Sequence, residues 1–174
     1  SLEKLCVFLV AIARYAYEDV VRAADSLVDV GGDDTGAIAL GQYHRFFSKI
    51  DRSAIEVLYV VNARRPFSAE LESNLDMIEK VTGAGRIEID ALVNNTNLSQ
   101  ETSVQEPLDG YKMLRSISER LNLPVRFTVG VEPVISEFAQ YAKEHELDEN
   151  FIGTIRPIKR YMHRDWDSYT KSGL

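Results

Sequence analysis

Hydrophobic positions divide most of the chain into two kinds of segment that alternate. Short apolar runs rich in β-branched residues are typical of buried strands, and five of them occur, at 5–10, 26–30, 55–61, 87–93 and 125–129. Stretches with helical spacing of apolar residues lie between and after them, at 15–24, 37–49, 68–83, 108–121 and 133–144. The pattern therefore predicts strands and helices in regular alternation from residue 5 to residue 145.

The clearest helix is the one after the third strand. Leu71, Leu75 and Ile78 recur at i, i+4 and i+7, which places them on one apolar stripe. Ser68 is a natural N-cap, and Gly83 is a typical C-terminal stop. We expect this stripe to face a sheet.

This alternation determines the expected fold class. Parallel strands need crossover connections that contain a helix, so the pattern predicts an α/β fold, a mostly parallel, doubly wound sheet with helices on both faces. We predict one α/β domain over 1–174, with its core at 1–150 and a C-terminal tail at 151–174. Ligands of such sheets bind outside the carboxyl ends of the strands, which directs attention to 29–32, 62–65 and 94–97.

Composition narrows the possible functions. Twenty Lys and Arg against twenty-seven Asp and Glu give a net charge of −7, which disfavours a general nucleic-acid coat protein. The single cysteine, Cys6, permits no internal disulfide and no cysteine cluster for zinc. This cysteine content fits a reducing, cytoplasmic setting best. No apolar run reaches the ~20 residues of a membrane span.

The end of the second strand carries the first candidate site. A carboxylate at Asp29 would be costly beside a buried strand unless a hydrated Mg²⁺ neutralised it. Gly31 and Gly32 would let backbone N–H groups approach a phosphate closely. Either Asp33 or Asp34 could orient a water molecule near that metal. The alternative interpretation is structural: Asp29 caps a neighbouring helix beside a tight turn, and Asp33 and Asp34 cap the helix that follows.

Two further strand ends carry polar groups. The amides of Asn94 and Asn95 offer the donors and acceptors that suit a purine edge, although Asn is also common in turns. Arg64 and Arg65 could donate paired hydrogen bonds to phosphate, or they could form a solvated rim. The spacing alone leaves these alternatives open.

Several short sequence segments, taken together, resemble one known family. They occur in order at predicted strand ends and in the tail, at 29–37, 39–43, 60–66, 92–98 and 157–162. The resemblance is to ParA/MinD-type P-loop ATPases, and it spans roughly residues 25 to 166. It implies a doubly wound P-loop NTPase-like sheet, ATP with Mg²⁺ as cofactor, and a homodimer formed across the nucleotide.

The resemblance also implies roles for individual residues. Asp29 would take the acidic metal-site role through water, Gly32 would contact the γ-phosphate, and Asn94 or Asn95 would contact adenine. The family's first strand carries a Gly-rich loop ending in Gly-Lys-Ser/Thr, and no such motif occurs in this sequence. The chain is thus expected to correspond to the later two-thirds of the family, N-terminally truncated, with ATP hydrolysis impaired.

Two other function classes remain compatible with the sequence. One is a non-catalytic protein-interaction or dimerisation module that retains the sheet. The other is a nucleic-acid or membrane adaptor that works through the basic and aromatic tail, which contains Arg156, Lys159, Arg160, His163, Arg164, Tyr161 and Trp166. A tail that folds back over the sheet is the structural alternative to this adaptor.

Overall fold

The fold is an α/β sheet structure with every strand pair parallel. A computed structural model describes residues 5–8, 27–30 and 34–159. Its six strands are ordered β2-β1-β3-β4-β5-β6 across one sheet. They comprise β1 (Leu5–Phe8), β2 (Leu27–Asp29), β3 (Ile55–Val61), β4 (Ala91–Asn94), β5 (Val125–Val131) and β6 (Thr154–Ile158). The predicted α/β class with a parallel sheet is confirmed.

Helices connect the strands from β2 onwards. They are α1 (Asp34–Gly41), the short α2 (His44–Phe47), α3 (Leu71–Gly85), α4 (Gln105–Leu121) and α5 (Glu132–Glu144). Single 3₁₀ turns occur at Arg52–Ala54, Pro66–Ser68, Ser99–Glu101 and Glu149–Phe151. The helix expected at 15–24 lies outside the described residues.

The main core lies between one face of the sheet and the helices. Val57 and Val61 of β3 point to this face, because alternate residues of a strand face the same way. Ile78 of α3 and Leu114 of α4 pack in the same cluster, and Leu71 and Leu75 lie against it. The predicted stripe of α3 is therefore confirmed as a core-facing surface.

The other face of the sheet carries a separate buried cluster. Leu58, Ala91 and Val93 form it, with Val60 and Phe127 packed against them. Within the described ranges, only strand residues contribute to this cluster. The expectation of helices on both faces depends on the predicted helix at 15–24 and so is not tested by the described residues.

Four sequence-based boundaries are wrong. The helix expected at 37–49 is two helices in the structure, Asp34–Gly41 and His44–Phe47. Ser68 is not the N-cap of α3, because it lies in the preceding 3₁₀ turn and Glu70 occupies the cap position. Gly83 does not end the helix, which continues to Gly85 and closes at Arg86 with φ 53°. The strand expected at 87–93 forms its ladder only from Ala91. Asp90 N–H donates to the Val57 carbonyl, but Val57 N–H donates to the side-chain oxygen Asp90 Oδ2 rather than to a backbone carbonyl of this segment.

Residues 154–158 form a strand, whereas the sequence placed them in a tail. This strand, β6, lies at the edge of the sheet and is largely exposed, so it lacks the apolar run that marks a buried strand. Pro157 is compatible with this position because an edge strand need not donate every N–H. The sheet core therefore extends beyond residue 150.

Candidate functional site

The polar strand ends identified in the sequence meet at one edge of the sheet. Because all strand pairs are parallel, Asp29, Asn62 and Asn94 all lie at the carboxyl edge. β2 and β3 lie on opposite sides of β1, so the strand order reverses direction at β1. Three strand steps separate β2 from β4, or about 14 Å at the usual spacing.

A side-chain amide bridges the loops that follow β3 and β4. Asn62 Nδ2 donates to the carbonyl of Asn97 at 3.2 Å, and Asn62 Oδ1 accepts from the N–H of Asn97 at 3.3 Å. The same oxygen accepts from the N–H of Arg64 at 3.0 Å. Ala63 N–H donates to Thr96 Oγ1 at 3.2 Å. These bonds fix the two loops to each other.

Asn94 is part of the interior rather than of the surface. It is 1% exposed, its Nδ2 donates to the carbonyl of Pro107 at 3.0 Å, and its Oδ1 accepts from Thr96 N–H at 3.2 Å. Both ends of its amide thus have protein partners. Of the two asparagines expected to contact a base, Asn95 is the half-buried one with access to open space.

A cavity of about 440 Å³ opens beside Asn95 at the carboxyl ends of β4, β5 and β6. Its lining combines amides, hydroxyls, small apolar groups and one charged side chain: Asn95, Thr96, Asn97, Ser99, Thr102, Pro107, Val129, Gly130, Val131, Val134, Ile158 and Lys159. Within this described lining, no residue is acidic. Such a mixture of apolar walls and a few polar groups is usual for small-molecule sites.

The loop that supplies the amides is itself ordered by side chains. Asn97 Nδ2 donates to the carbonyl of Asn95 at 2.8 Å, and Asn97 Oδ1 accepts from Ser99 N–H at 3.2 Å. Thr102 Oγ1 accepts from Leu98 N–H at 2.9 Å and donates to the carbonyl of Ser99 at 2.8 Å. The cavity wall is therefore preformed along this loop.

Arg64 points to two carboxylates of α4. Its Nη2 lies 2.9 Å from Glu106 Oε1 and 2.7 Å from Asp109 Oδ2. Glu106 is 4% exposed, and its other oxygen accepts from the N–H and hydroxyl of Ser103 at 2.7 and 2.8 Å. Burial alone would raise the pKa of Glu106, but the bonds from Ser103 and Arg64 outweigh it and lower that pKa.

Asp29 ends β2 and is half-buried at the carboxyl edge. Removal of its carboxylate from water raises the pKa of Asp29 above the ordinary value of 3.8. Gly31, Gly32 and Asp33 lie outside the described residues. Arg65 is exposed just before the Pro66 turn. Across the described part of the chain, no group of three or more His, Cys, Asp or Glu is placed to hold a metal ion.

Sequence reasoning missed several residues of this site. Asn62, Thr96 and Asn97 lie within the strand ends 62–65 and 94–97, but the sequence predicted no individual role for them, and it placed Lys159 only in the tail. The bond from Ser103 to Glu106 had a readable signature, because Ser-x-x-Glu before an apolar run is a capping box. The tail from Arg160 onwards lies outside the described residues.

Comparisons with known proteins give no indication of the function of this chain. No protein-family model, no curated protein and no solved structure matches this chain. Within the described ranges, every helix is too short or too polar to cross a bilayer.

Proposed function

We propose that this protein binds a nucleotide, ATP with Mg²⁺, at the carboxyl edge of its sheet, with the base in the cavity beside Asn95. The observation that carries the proposal is the position and lining of that cavity. It lies where ligands of parallel sheets bind, and it offers amides against apolar walls. The resemblance to ParA/MinD-type P-loop ATPases supplies the identity of the nucleotide.

The lining supports a base with a neutral hydrogen-bonding edge. The side-chain amide of Asn95, whose Oδ1 also accepts from Asn97 Nδ2 at 3.3 Å, can pair with ring nitrogens and exocyclic groups of a purine. Val129, Val131 and Val134 supply apolar surface for the ring.

The phosphates would lie along the carboxyl ends of the strands between β4 and β2. The ~14 Å from β4 to β2 is comparable with the length of a nucleoside triphosphate. Asp29 lies at the far end of this interval, and Mg²⁺ commonly binds one carboxylate together with substrate phosphates. A single carboxylate therefore fits a Mg²⁺ ion that arrives with the nucleotide, and bound Mg²⁺ would neutralise the phosphates.

The described residues do not provide a complete phosphate-binding site. The sequence has no Gly-Lys-Ser/Thr loop, and Arg64 is engaged by two carboxylates. Phosphate contacts supply much of the affinity in P-loop sites. We therefore expect this chain to bind ATP weakly, with a Kd on the order of millimolar, and we propose no hydrolysis by it.

A ligand-observed NMR titration tests the proposal. ATP with Mg²⁺ is titrated against the wild-type chain, Asn95→Ala and a control, Asn150→Ala, in which an asparagine is changed in the 3₁₀ turn before β6, outside the cavity lining. We expect Asn95→Ala to weaken binding about tenfold, since about 1.4 kcal/mol corresponds to that factor, and the control to match the wild type. Equal affinity of all three proteins would exclude the cavity as the base site.

A further inference from the structure

Arg64 joins the end of β3 to the first turns of α4. It lies three residues after β3, and its guanidinium bridges Glu106 and Asp109. Asp109 also accepts from Gln105 Nε2 at 2.7 Å and lies 3.5 Å from Lys112 Nζ. One arginine from the loop after β3 thus contacts both carboxylates at the start of this helix.

The same helix start forms part of the cavity wall. Pro107 lines the cavity, and its carbonyl accepts the hydrogen bond from Asn94 Nδ2. One turn later, Gly110 packs so closely that a Cβ there would lie 2.0 Å from Asn94 Oδ1 and 2.4 Å from Thr96 Oγ1. Any shift of the first two turns of α4 would therefore move the loop that carries Asn95.

The charges around Arg64 disfavour a direct phosphate contact. One guanidinium faces two carboxylates, so the three groups carry a net charge of −1, and Lys112 brings the cluster only to zero. A phosphate approaching Arg64 would meet both carboxylates at close range, where like charges repel. Arg64 is also the partner of Glu106 Oε1, a nearly buried oxygen that would lose its bond if Arg64 turned away.

We infer that Arg64 is a positioning residue of the ligand cavity, acting through its ion pairs with Glu106 and Asp109 to hold the start of α4 against the Asn94–Asn97 loop. This role replaces the phosphate contact expected from the sequence. It rests on the proposed function for its effect on ligand binding, but the loop-fixing part can be measured without a ligand.

The two roles predict opposite results for the acidic partners. Adenosine, which lacks phosphate, and ATP with Mg²⁺ are titrated against Arg64→Gln, Asp109→Asn and Glu106→Gln. A positioning role predicts weaker binding of adenosine and ATP alike in all three variants, by about tenfold for Arg64→Gln and Glu106→Gln and by less for Asp109→Asn. A phosphate contact predicts that Arg64→Gln weakens ATP alone, while Asp109→Asn and Glu106→Gln free the arginine and strengthen ATP binding.

The variants differ in their risk of misfolding. Glu106 is nearly buried, whereas Asp109 is partly exposed, and its removal leaves the Arg64–Glu106 pair intact. Asp109→Asn therefore keeps the test decisive if Glu106→Gln fails to fold. Lys80→Gln is the matched control, because it removes an exposed cation paired with Asp76 on α3, outside the cavity lining. It should leave both affinities unchanged.

Hydrogen exchange separates failure of this inference from failure of the proposed function. In Arg64→Gln without ligand, the amides of Thr96 and Asn97 should exchange about tenfold faster, because the side chains that hold them are no longer fixed. Unchanged exchange at both amides would overturn the positioning role even if ATP binds. If wild-type protein binds neither adenosine nor ATP, the proposed function fails, and faster exchange would still support the positioning of the loop.

Discussion

Gly110 packs directly on the side chain of Asn94. A Cβ at residue 110 would lie 2.0 Å from Asn94 Oδ1, a distance that no relaxed structure tolerates. The glycine lets α4 approach β4 closely enough for Asn94 to reach the Pro107 carbonyl. The absence of one methyl group thus determines how the helix, the strand and the loop of Asn95 fit together.

Gly110→Ala should therefore destabilise the protein. Overpacking of this kind costs about 1–3 kcal/mol, seen as a lower free energy of unfolding in urea. Gly83→Ala is the matched control, because a Cβ at this position in α3 meets nothing within 4 Å. The control should be neutral or more stable by up to about 1 kcal/mol, as alanine favours helix. Equal stability of the two variants would contradict the close packing of α4 on Asn94.

The two neighbouring asparagines should respond differently to truncation. Asn94→Ala leaves the Pro107 carbonyl and Thr96 N–H without their buried partners, which should cost about 1–3 kcal/mol of unfolding free energy. Asn95→Ala should leave the melting temperature nearly unchanged and weaken ATP binding. A loss of stability in Asn95→Ala together with a loss of ATP affinity in Asn94→Ala would contradict these two roles.

Glu106 should make the free energy of unfolding decrease as the pH falls into the acid range. Because the folded state lowers the pKa of Glu106, its ionised form contributes stability that is complete above the ordinary value of 4.5. That contribution is lost as the pH falls through the lowered pKa. The difference in unfolding free energy between the wild type and Glu106→Gln should therefore shrink below pH 4.5. A difference that is constant from pH 7 to pH 3 would contradict the assignment.

Asp29 should show the opposite dependence. Burial raises the pKa of Asp29, so its protonated form is favoured in the folded state, and this benefit is lost as the pH rises through the raised pKa. At pH 7 without metal, Asp29→Asn should match or exceed the wild type in melting temperature. It should also remove the dependence of ATP affinity on Mg²⁺. Retained Mg²⁺ dependence would exclude Asp29 as the metal site.

The core face of α3 offers a direct measure of the packing of helices on the sheet. Ile78 is 7% exposed within the main core, whereas Leu75 is only partly buried against it. Ile78→Ala should cost about 2–5 kcal/mol of unfolding free energy, and Leu75→Ala should cost less. Urea unfolding of both variants checks this order, and a larger loss for Leu75→Ala would reverse it.

Apolar periodicity predicted the parts of the fold that are buried on both sides. β3 occupies the predicted residues 55–61, and the α3 stripe packs as expected, because burial imposes a pattern on the sequence. β6 escaped prediction because an edge strand with Pro157 needs no apolar run. The end of α3 at Gly85 was missed because either of two nearby glycines suits a helix end.

The sequence shows which strand ends carry polar groups, but not which residues are the partners of those groups. Strand ends reveal which edge carries polar groups, so 62–65 and 94–97 were identified from sequence. The partners of those groups come from distant positions, such as Glu106 and Asp109 for Arg64, or Asn97 for Asn62. Nothing local to Arg64 or Asn94 indicates that α4 satisfies them, because that contact depends on the tertiary packing of α4 against β4.

The most direct test of nucleotide binding at this edge is a map of where ATP acts on the protein. Backbone amide shifts of the wild-type chain are recorded as ATP with Mg²⁺ is added up to concentrations in the millimolar range. We expect the largest shifts at Asn95–Asn97 and Val129–Val131, with Asp29 shifting only when Mg²⁺ is present. Saturable shifts confined to other surfaces, or no shifts at all, would contradict nucleotide binding at this edge of the sheet.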